Sequence, residues 1–450
     1  MRSALSFVPF SFPFLKKLNH NSSIFKIIKA FICAFFISNS IYISKYQSLS
    51  LEILSPFIAI YGLVLLLRSD KWGYFFTGFF LGLFWFFWLG LSSIYFNLHY
   101  LVPLIMLGVG LFYGVLFRIC YLFKFDLLRL GAIFGLSYIH PLGFDWLNWG
   151  VLVVPGLFEC STKGIICLFL ISYFYYEKYI SRYYKIAIIL ILCYIGLQKD
   201  EPKFERLSLN YELVQTNISQ DQKFLNLNMQ KNADDLVLEI KKAIEAKKEL
   251  IILPESAFAF DLERDFEGRY YAILQELSYQ INIIAGAFSS KENEVYNSTY
   301  VFIKGKDQIL NKHYLVPFGE EIPFLKDFFK KYLINFGEFS RGAPLNTYEL
   351  AGQKITNAIC YEATKEALFK EKNIIIALSN NAWFDDFIEP NLQRLLIKFY
   401  ASKYNVSVYH ATNGNFTGEI LPKYPLIKTL QADLEKIYNT LKEFYHKQSA

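Results

Sequence analysis

Cys360 ends the apolar, β-branched run Lys354-Ile-Thr-Asn-Ala-Ile359, which reads as a strand, and the pattern from Glu362 to Phe369 beyond it reads as a helix. On such a strand-to-helix turn a cysteine meets the positive end of a helix dipole, which favours thiolate over thiol. Glu255 closes Leu250-Ile-Ile-Leu-Pro254, at the carboxyl end of a buried strand, where open α/β sheets place their active sites. Lys312 lies in Asn311-Lys-His-Tyr-Leu-Val-Pro-Phe-Gly-Glu320, a charge beside a hydrophobic stretch. Together the three have the parts for acyl chemistry. A carboxylate takes the thiol proton, a thiolate attacks an acyl carbon, and an ammonium steadies the oxyanion. The Tyr361 amide N–H is the natural second oxyanion donor, and Glu320 and Glu362 are placed to orient Lys312 and Cys360. Taken singly, Cys360 reads as a small buried hydrophobe and Lys312 as a surface lysine, while Glu255 reads equally as a solvated turn residue. Glu320 and Glu362 read equally as caps or surface charges.

These residues need a rigid frame, and the chain after Gln198-Lys-Asp-Glu-Pro202 offers one. Strands are expected at Tyr211–Thr216, Leu250–Pro254, Ile281–Phe288, Ser298–Lys304, Lys354–Cys360, Ile374–Ser379, Val406–Thr412 and Phe416–Leu421. Helices are expected at Asp234–Lys248, Arg269–Tyr279 and Pro390–Tyr404. Such alternation predicts a layered α/β domain over 199–422. From 423 to 450, Leu426, Leu430, Leu434, Ile437, Leu441 and Phe444 recur at helical spacing in a charged, amphipathic tail.

The first 198 residues are a different material. They carry 15 Lys+Arg against 6 Asp+Glu, whereas residues 199–450 carry 31 against 34. The overall charge of +6 therefore belongs to the apolar half and is no nucleic-acid footprint. Seven spans are expected, roughly at 24–44, 50–67, 74–96, 99–123, 127–147, 164–177 and 184–197, the last two short for a core of ~30 Å. Glycines in the third and fourth predict close helix packing. With the N-terminus inside, the inner segments hold thirteen Lys or Arg (among them Arg2, Lys16, Lys17, Arg68 and Arg129) and the outer ones only Lys45 and Lys163. That positive-inside bias puts the N-terminus in the cytoplasm and residues 199–450 outside. Arg118 reads as snorkelling to the inner interface, and His140 and Asp145, near the outer end of span five, are placed to face the soluble domain. Five of the six cysteines fall in the apolar half at irregular spacing, without Cys-x-x-Cys or a Cys/His cluster. No metal, cofactor or disulfide framework is expected.

Pro254-Glu-Ser-Ala257, Asn311-Lys-His-Tyr-Leu-Val-Pro-Phe-Gly-Glu320 and Ile359-Cys-Tyr-Glu362, in that order, resemble the Glu-Lys-Cys motifs of the nitrilase superfamily. Val214-Gln-Thr-Asn-Ile-Ser-Gln220, Phe339-Ser-Arg-Gly342 and Ser379-Asn-Asn-Ala-Trp-Phe384 narrow the resemblance to the membrane-integrated apolipoprotein N-acyltransferases. It covers almost the whole chain. It implies a polytopic α-helical membrane domain followed by a nitrilase-like α/β (αββα) sandwich, with Glu255 as general base, Lys312 as oxyanion stabiliser and Cys360 as nucleophile. Glu320 matches the supporting second glutamate. Tyr361, Glu362 and Trp383 match positions near the catalytic centre or its lipid-facing loops. The implied partners are a phospholipid acyl donor, a diacylglyceryl apolipoprotein acceptor and the lipids of a bacterial inner membrane, with the catalytic domain in the periplasm.

Asn381 replaces an expected Asp, Asp385 an expected Gly, and Glu389-Pro-Asn-Leu-Gln-Arg394 lacks an expected His. The family's usual eighth span is also missing, so the tail is expected to stay periplasmic, on the domain or on the membrane surface. Two other readings remain. One is a membrane-tethered amidohydrolase, in which water resolves the acyl-enzyme. The other is an inactive receptor or assembly factor that keeps the fold.

Overall fold

The strands of the soluble half alternate between two buried environments, and this alternation sets the layers. The computed structural model describes residues 23–46, 48–322, 338–384, 387–426 and 428. The predicted tail beyond 428, and Arg2, Lys16 and Lys17, lie outside the described residues. One sheet runs β1 (Tyr211–Leu213), β2 (Leu250–Ile252), β4 (Asn282–Lys291), β5 (Glu294–Ile303), β6 (Lys306–Asn311), with β3 (Phe258–Asp261) also paired to β4. The other runs β11 (Gly418–Ile420), β10 (Val408–Asn413), β9 (Ile374–Asn380), β8 (Gln353–Ile359), β7 (Thr347–Leu350). Leu250, Ile252 and Ile284 meet Ile374, Ile376 and Leu378 between the sheets. Ile251, Leu253 and Ile283 turn the other way, onto helices α10 (Asn226–Glu245) and α11 (Arg269–Leu277). Ile375 and Ala377 pack outward with residues of α12 (Glu366–Lys370) and α13 (Glu389–Tyr404). The result is an αββα sandwich with period-2 burial on both faces of each sheet.

In the apolar half the chain forms α1 (Ser23–Ile43), α2 (Leu49–Leu67), α3 (Lys71–Phe86), α4 (Trp88–Leu91), α5 (Leu101–Cys120), α6 (Asp126–Gly135), α7 (Thr162–Tyr176) and α8 (Arg182–Gly196). A short α9 (Gln220–Lys223) opens the soluble domain. Among the described residues three helices are long and apolar enough to cross a membrane, or four if α3 and the segment after it, bent by 50°, form one span. Leu104, Leu107, Leu111, Val115 and Ile119 expose one apolar face of α5, as a lipid-facing helix must. The expected close packing is present at α3 and α5, where a Cβ on Gly78 would stand 2.4 Å from the Tyr113 carbonyl oxygen.

The expected span 127–147 is corrected. Helix α6 stops at Gly135, and the chain continues through short 3-10 turns, with Leu142 at φ +55° just after Pro141. Past the helix, Trp146 and Leu147, followed by Trp149 and Val151, are buried in the same core as α13, whereas Leu127, Leu128, Tyr138 and Ile139 are exposed. Asn148 Nδ2 donates to Tyr400 Oη at 2.8 Å, and Arg394 donates to the Ser44 carbonyl at 2.9 Å. One face of α13 thus rests on the membrane domain and the other on the second sheet.

Candidate active site

Cys360 stands where β8 stops, in the left-handed region at φ +53°, a conformation that costs a non-glycine residue about 1 kcal/mol or more. Glu362 holds this turn. Its buried carboxylate accepts from Ile359 N at 2.9 Å, His313 N at 2.7 Å and Tyr314 N at 3.1 Å, tying the cysteine turn to the residues after Lys312. Burial pushes the Glu362 carboxyl up, against the opposing pull of Lys312 and these amides. The expectation of a helix-dipole thiolate is overturned. After Cys360 comes a 3-10 turn to Thr364, and the five-residue α12 begins only at Glu366. Burial first, and then the Glu255 carboxylate, push the Cys360 thiol well above its ordinary range, with Lys312 pulling the other way. The resting residue is a thiol that needs a base.

Glu255 lies in the break between β2 and β3, which both pair in parallel with β4. Pro254 and Ser256, the latter at φ +48°, make that break and turn the carboxylate inward. Glu255 Oε1 accepts from Asn297 Nδ2 at 2.7 Å and lies 3.5 Å from Lys312 Nζ, while Oε2 accepts from Asn380 N at 2.7 Å. Lys312, the first residue after edge strand β6, is buried and reaches Glu320 Oε1 at 2.8 Å. Burial alone would lower its pKa, but Glu320 and Glu255 outweigh that and hold it above the ordinary lysine value. Gly286 on β4 faces the break. A Cβ there would stand 2.4 Å from the Pro254 oxygen and 2.6 Å from Glu255 Cα. Gly286→Ala is therefore expected to displace Glu255 and lower kcat by about 10²-fold, as misplacing a reacting group by roughly 1 Å does. Acyl-transfer assays paired with thermal unfolding check this, and an active, equally stable variant would contradict it.

Four residues of the site escaped the sequence reading. Lys223 is buried and donates from Nζ to the Glu255 carbonyl at 3.1 Å. Burial brings its ammonium down to about 8, against Glu255 and Cys360. Asn297 donates to both Glu255 and Glu320, and Asn380 donates from its side chain to Gln220 at 2.9 Å. Gln393 of α13 approaches Cys360 Sγ with Nε2 at 3.8 Å. Lys223 and Asn380 lie within or just beyond quoted motifs, which was the available signal. Gln393 also lies in a quoted segment, Glu389-Pro-Asn-Leu-Gln-Arg394, whereas Asn297 had no such signal.

Residues 24–197 match the family profile for the apolipoprotein N-acyltransferase integral membrane domain. An apolipoprotein N-acyltransferase of Campylobacter jejuni is 58% identical over 445 residues, spanning 98% of this chain and 100% of that one. The chain belongs to the apolipoprotein N-acyltransferase family. A Wolinella succinogenes relative of the same name is 36% identical, covering 82% of this chain and 90% of its own length. A CN-hydrolase superfamily protein of Xanthomonas campestris aligns with 46% of this chain and 76% of its own, at 15% identity and a TM-score of 0.35.

In this member of the apolipoprotein N-acyltransferase family, the residue after the cysteine joins the two halves. Tyr361 Oη donates to the Gly143 carbonyl at 2.9 Å and lies 3.3 Å from Asp145 Oδ1, and Lys365 Nζ is 2.8 Å from the same carboxylate. Asp145 thus faces the soluble domain, as expected, whereas His140 is exposed and contacts the Ser137 carbonyl. Trp383 packs edge-on against Tyr95 at 5.1 Å, and Phe384 against Trp88 at 4.8 Å, so this loop rests on the membrane domain near the bend after α3. Arg118 lies over the Trp72 ring at 5.0 Å. Among the described residues no group of three His, Cys, Asp or Glu side chains is placed to hold a metal ion.

Proposed function

We propose that this protein transfers a fatty acyl group from a phospholipid to the α-amino group of the diacylglyceryl-cysteine at the N-terminus of apolipoproteins, through a thioester on Cys360. Glu255 takes the thiol proton as Sγ attacks the ester carbonyl, and the new C–S bond leaves an oxyanion held by Lys312 and the Tyr361 amide. Collapse breaks the C–O bond, and the Glu255 carboxyl returns the proton to the departing lysophospholipid oxygen. The acceptor amine then attacks the thioester. Its surplus proton passes through Glu255 to Sγ, the C–S bond breaks, and amide and free thiol result. Glu320 positions Lys312, Glu362 positions the cysteine turn, and Tyr361 and Trp383 tie the site to the membrane domain.

The observation that carries this reading is the cluster of buried Glu255 and Lys312 with half-buried Glu320 beside Cys360, in a chain 58% identical to an apolipoprotein N-acyltransferase. Residues 1–198 are read as the membrane domain, with a cytoplasmic N-terminus, and 199–422 as a periplasmic catalytic domain, on the strength of the charge bias. Lysophospholipid release separates transferase from hydrolase. The purified protein is expected to release it steadily only when a diacylglyceryl-cysteine peptide is present. Sustained release without acceptor would favour the amidohydrolase reading.

A further inference from the structure

The first turn of α13 carries two polar side chains that the chemistry above leaves unused. Glu389 and Gln393 lie one helical turn apart, 3% and 0% exposed. Gln393 turns its amide nitrogen toward Cys360 Sγ. Its Oε1 and Glu389 Oε2 are buried without a hydrogen-bond partner among the described residues. Neither omission is cheap, since a buried polar group without a partner costs about 1–3 kcal/mol. The cations of the same helix are engaged elsewhere, Arg394 on the Ser44 carbonyl, Lys398 on the Leu421 carbonyl and Lys403 on Glu366. Among charged groups Glu255 acts on Glu389, while the cations that act on Cys360, Lys312 and Lys223, are held by Glu320 and Glu255 and by the Glu255 carbonyl. Two hydrogen-bond acceptors beside the reacting sulfur suit a ligand rich in N–H donors. An acyl ester has none, whereas an ammonium has three.

We propose that Glu389, with Gln393 beside it, seats the α-ammonium of the incoming acceptor next to Cys360 and takes its proton. The proton moves from nitrogen to the Glu389 carboxylate, and the neutral amine attacks the thioester. The Glu389 carboxyl later loses its proton to water, so the balance of the second half-reaction is an amide, a thiol and one released proton. This rests on the thioester reading above. Burial and the Glu255 charge raise the Glu389 carboxyl to about 8, beside an ordinary α-amino value of about 7.7–8.0, so the transfer is close to even. An arriving ammonium favours the ionised carboxyl by its own charge. An ethanolamine headgroup carries the same donor chemistry, and the test separates the two sources.

The test loads the full-length protein in detergent with phosphatidylglycerol, which has no ammonium, and then discharges the adduct with a diacylglyceryl-cysteine peptide, following intact mass. Glu389→Gln is expected to load as the unaltered protein does, and to discharge to the peptide about 10²-fold more slowly at pH 7. The deficit should shrink as pH rises past about 8 and the peptide amine deprotonates unaided. Hydroxylamine, uncharged at pH 7, should discharge both proteins equally, and the unaltered loading shows the variant to be folded. Glu389→Asp, which keeps the carboxylate, should recover part of the rate. Discharge unchanged at pH 7, or loading and discharge slowed together, would overturn the assignment. Loading slowed only with phosphatidylethanolamine would give the seat to the donor headgroup and overturn it too. No adduct on the unaltered protein would instead remove the thioester reading, and this inference with it.

Discussion

Cys360→Ala is expected to carry no acyl adduct after incubation with phospholipid and to lose acyl transfer by on the order of 10⁶-fold, the scale seen when a covalent nucleophile is removed. No other cysteine can substitute. Cys33, Cys120, Cys160 and Cys167 are buried in the core of the membrane half, and Cys193 lies on α8, outside the site. The unaltered protein should gain one acyl mass, removable by hydroxylamine, as a thioester is and an amide is not. Because burial and Glu255 keep the resting thiol protonated, adduct formation should also collapse in Glu255→Gln, where the amide cannot take the proton. An adduct or turnover on Cys360→Ala would refute the nucleophile. A folded, unaltered protein that never acquires an adduct would move the inactive-ectodomain reading ahead.

The sequence disclosed the interior of the soluble domain better than its rim. Strands β2, β4 and β9 were legible because each lies buried between layers and carries a continuous apolar run, and β8 because Ile355, Thr356 and Ile359 give it β-branched character. Strands β6 and β7 were not: each is the last strand of its sheet, and Lys306-Asp-Gln-Ile-Leu-Asn311 offers only two apolar residues to recognise. The overread span at 127–147 is the converse case. A long apolar run reports burial without saying whether lipid or protein does the burying, and here the end of the run, Trp146 and Leu147, is buried in the core that includes α13. In the site, Glu255, Lys312 and Cys360 stood in recognisable local settings. Asn297 and Gln393 are defined only by what folding places opposite them, since one reaches Glu255 across 42 residues and the other Cys360 across 33. The thiol's protonation state failed for the same reason. A helix dipole can be guessed from local sequence, but desolvation and a carboxylate more than a hundred residues away cannot.

Lys312→Met is expected to remove both activity and stability, and pH separates the two losses. The ammonium is 1% exposed and lies between Glu320 at 2.8 Å and Glu255 at 3.5 Å. Its pKa is raised on folding, so its contribution to stability is complete below the unfolded value of about 10.4 and is lost only as pH rises through the still higher folded value. Across neutral pH the unaltered protein should therefore show no stability change from this group. Methionine fills the space but leaves the buried Glu255 and half-buried Glu320 carboxylates without their cation, which costs about 3–5 kcal/mol at neutral pH. Those carboxyls should then titrate upward in the folded variant. A folded pKa above the unfolded one gives stability that is present at low pH and lost as pH rises. The Tm deficit of Lys312→Met is thus expected to be largest near pH 8 and to narrow toward pH 5. Acyl transfer should stay depressed by at least about 10²-fold throughout, since protonating the carboxyls does not restore an oxyanion donor. A deficit independent of pH would mean that the lysine contributes packing and not charge, and near-normal transfer at any pH would remove it from the acyl-transfer step.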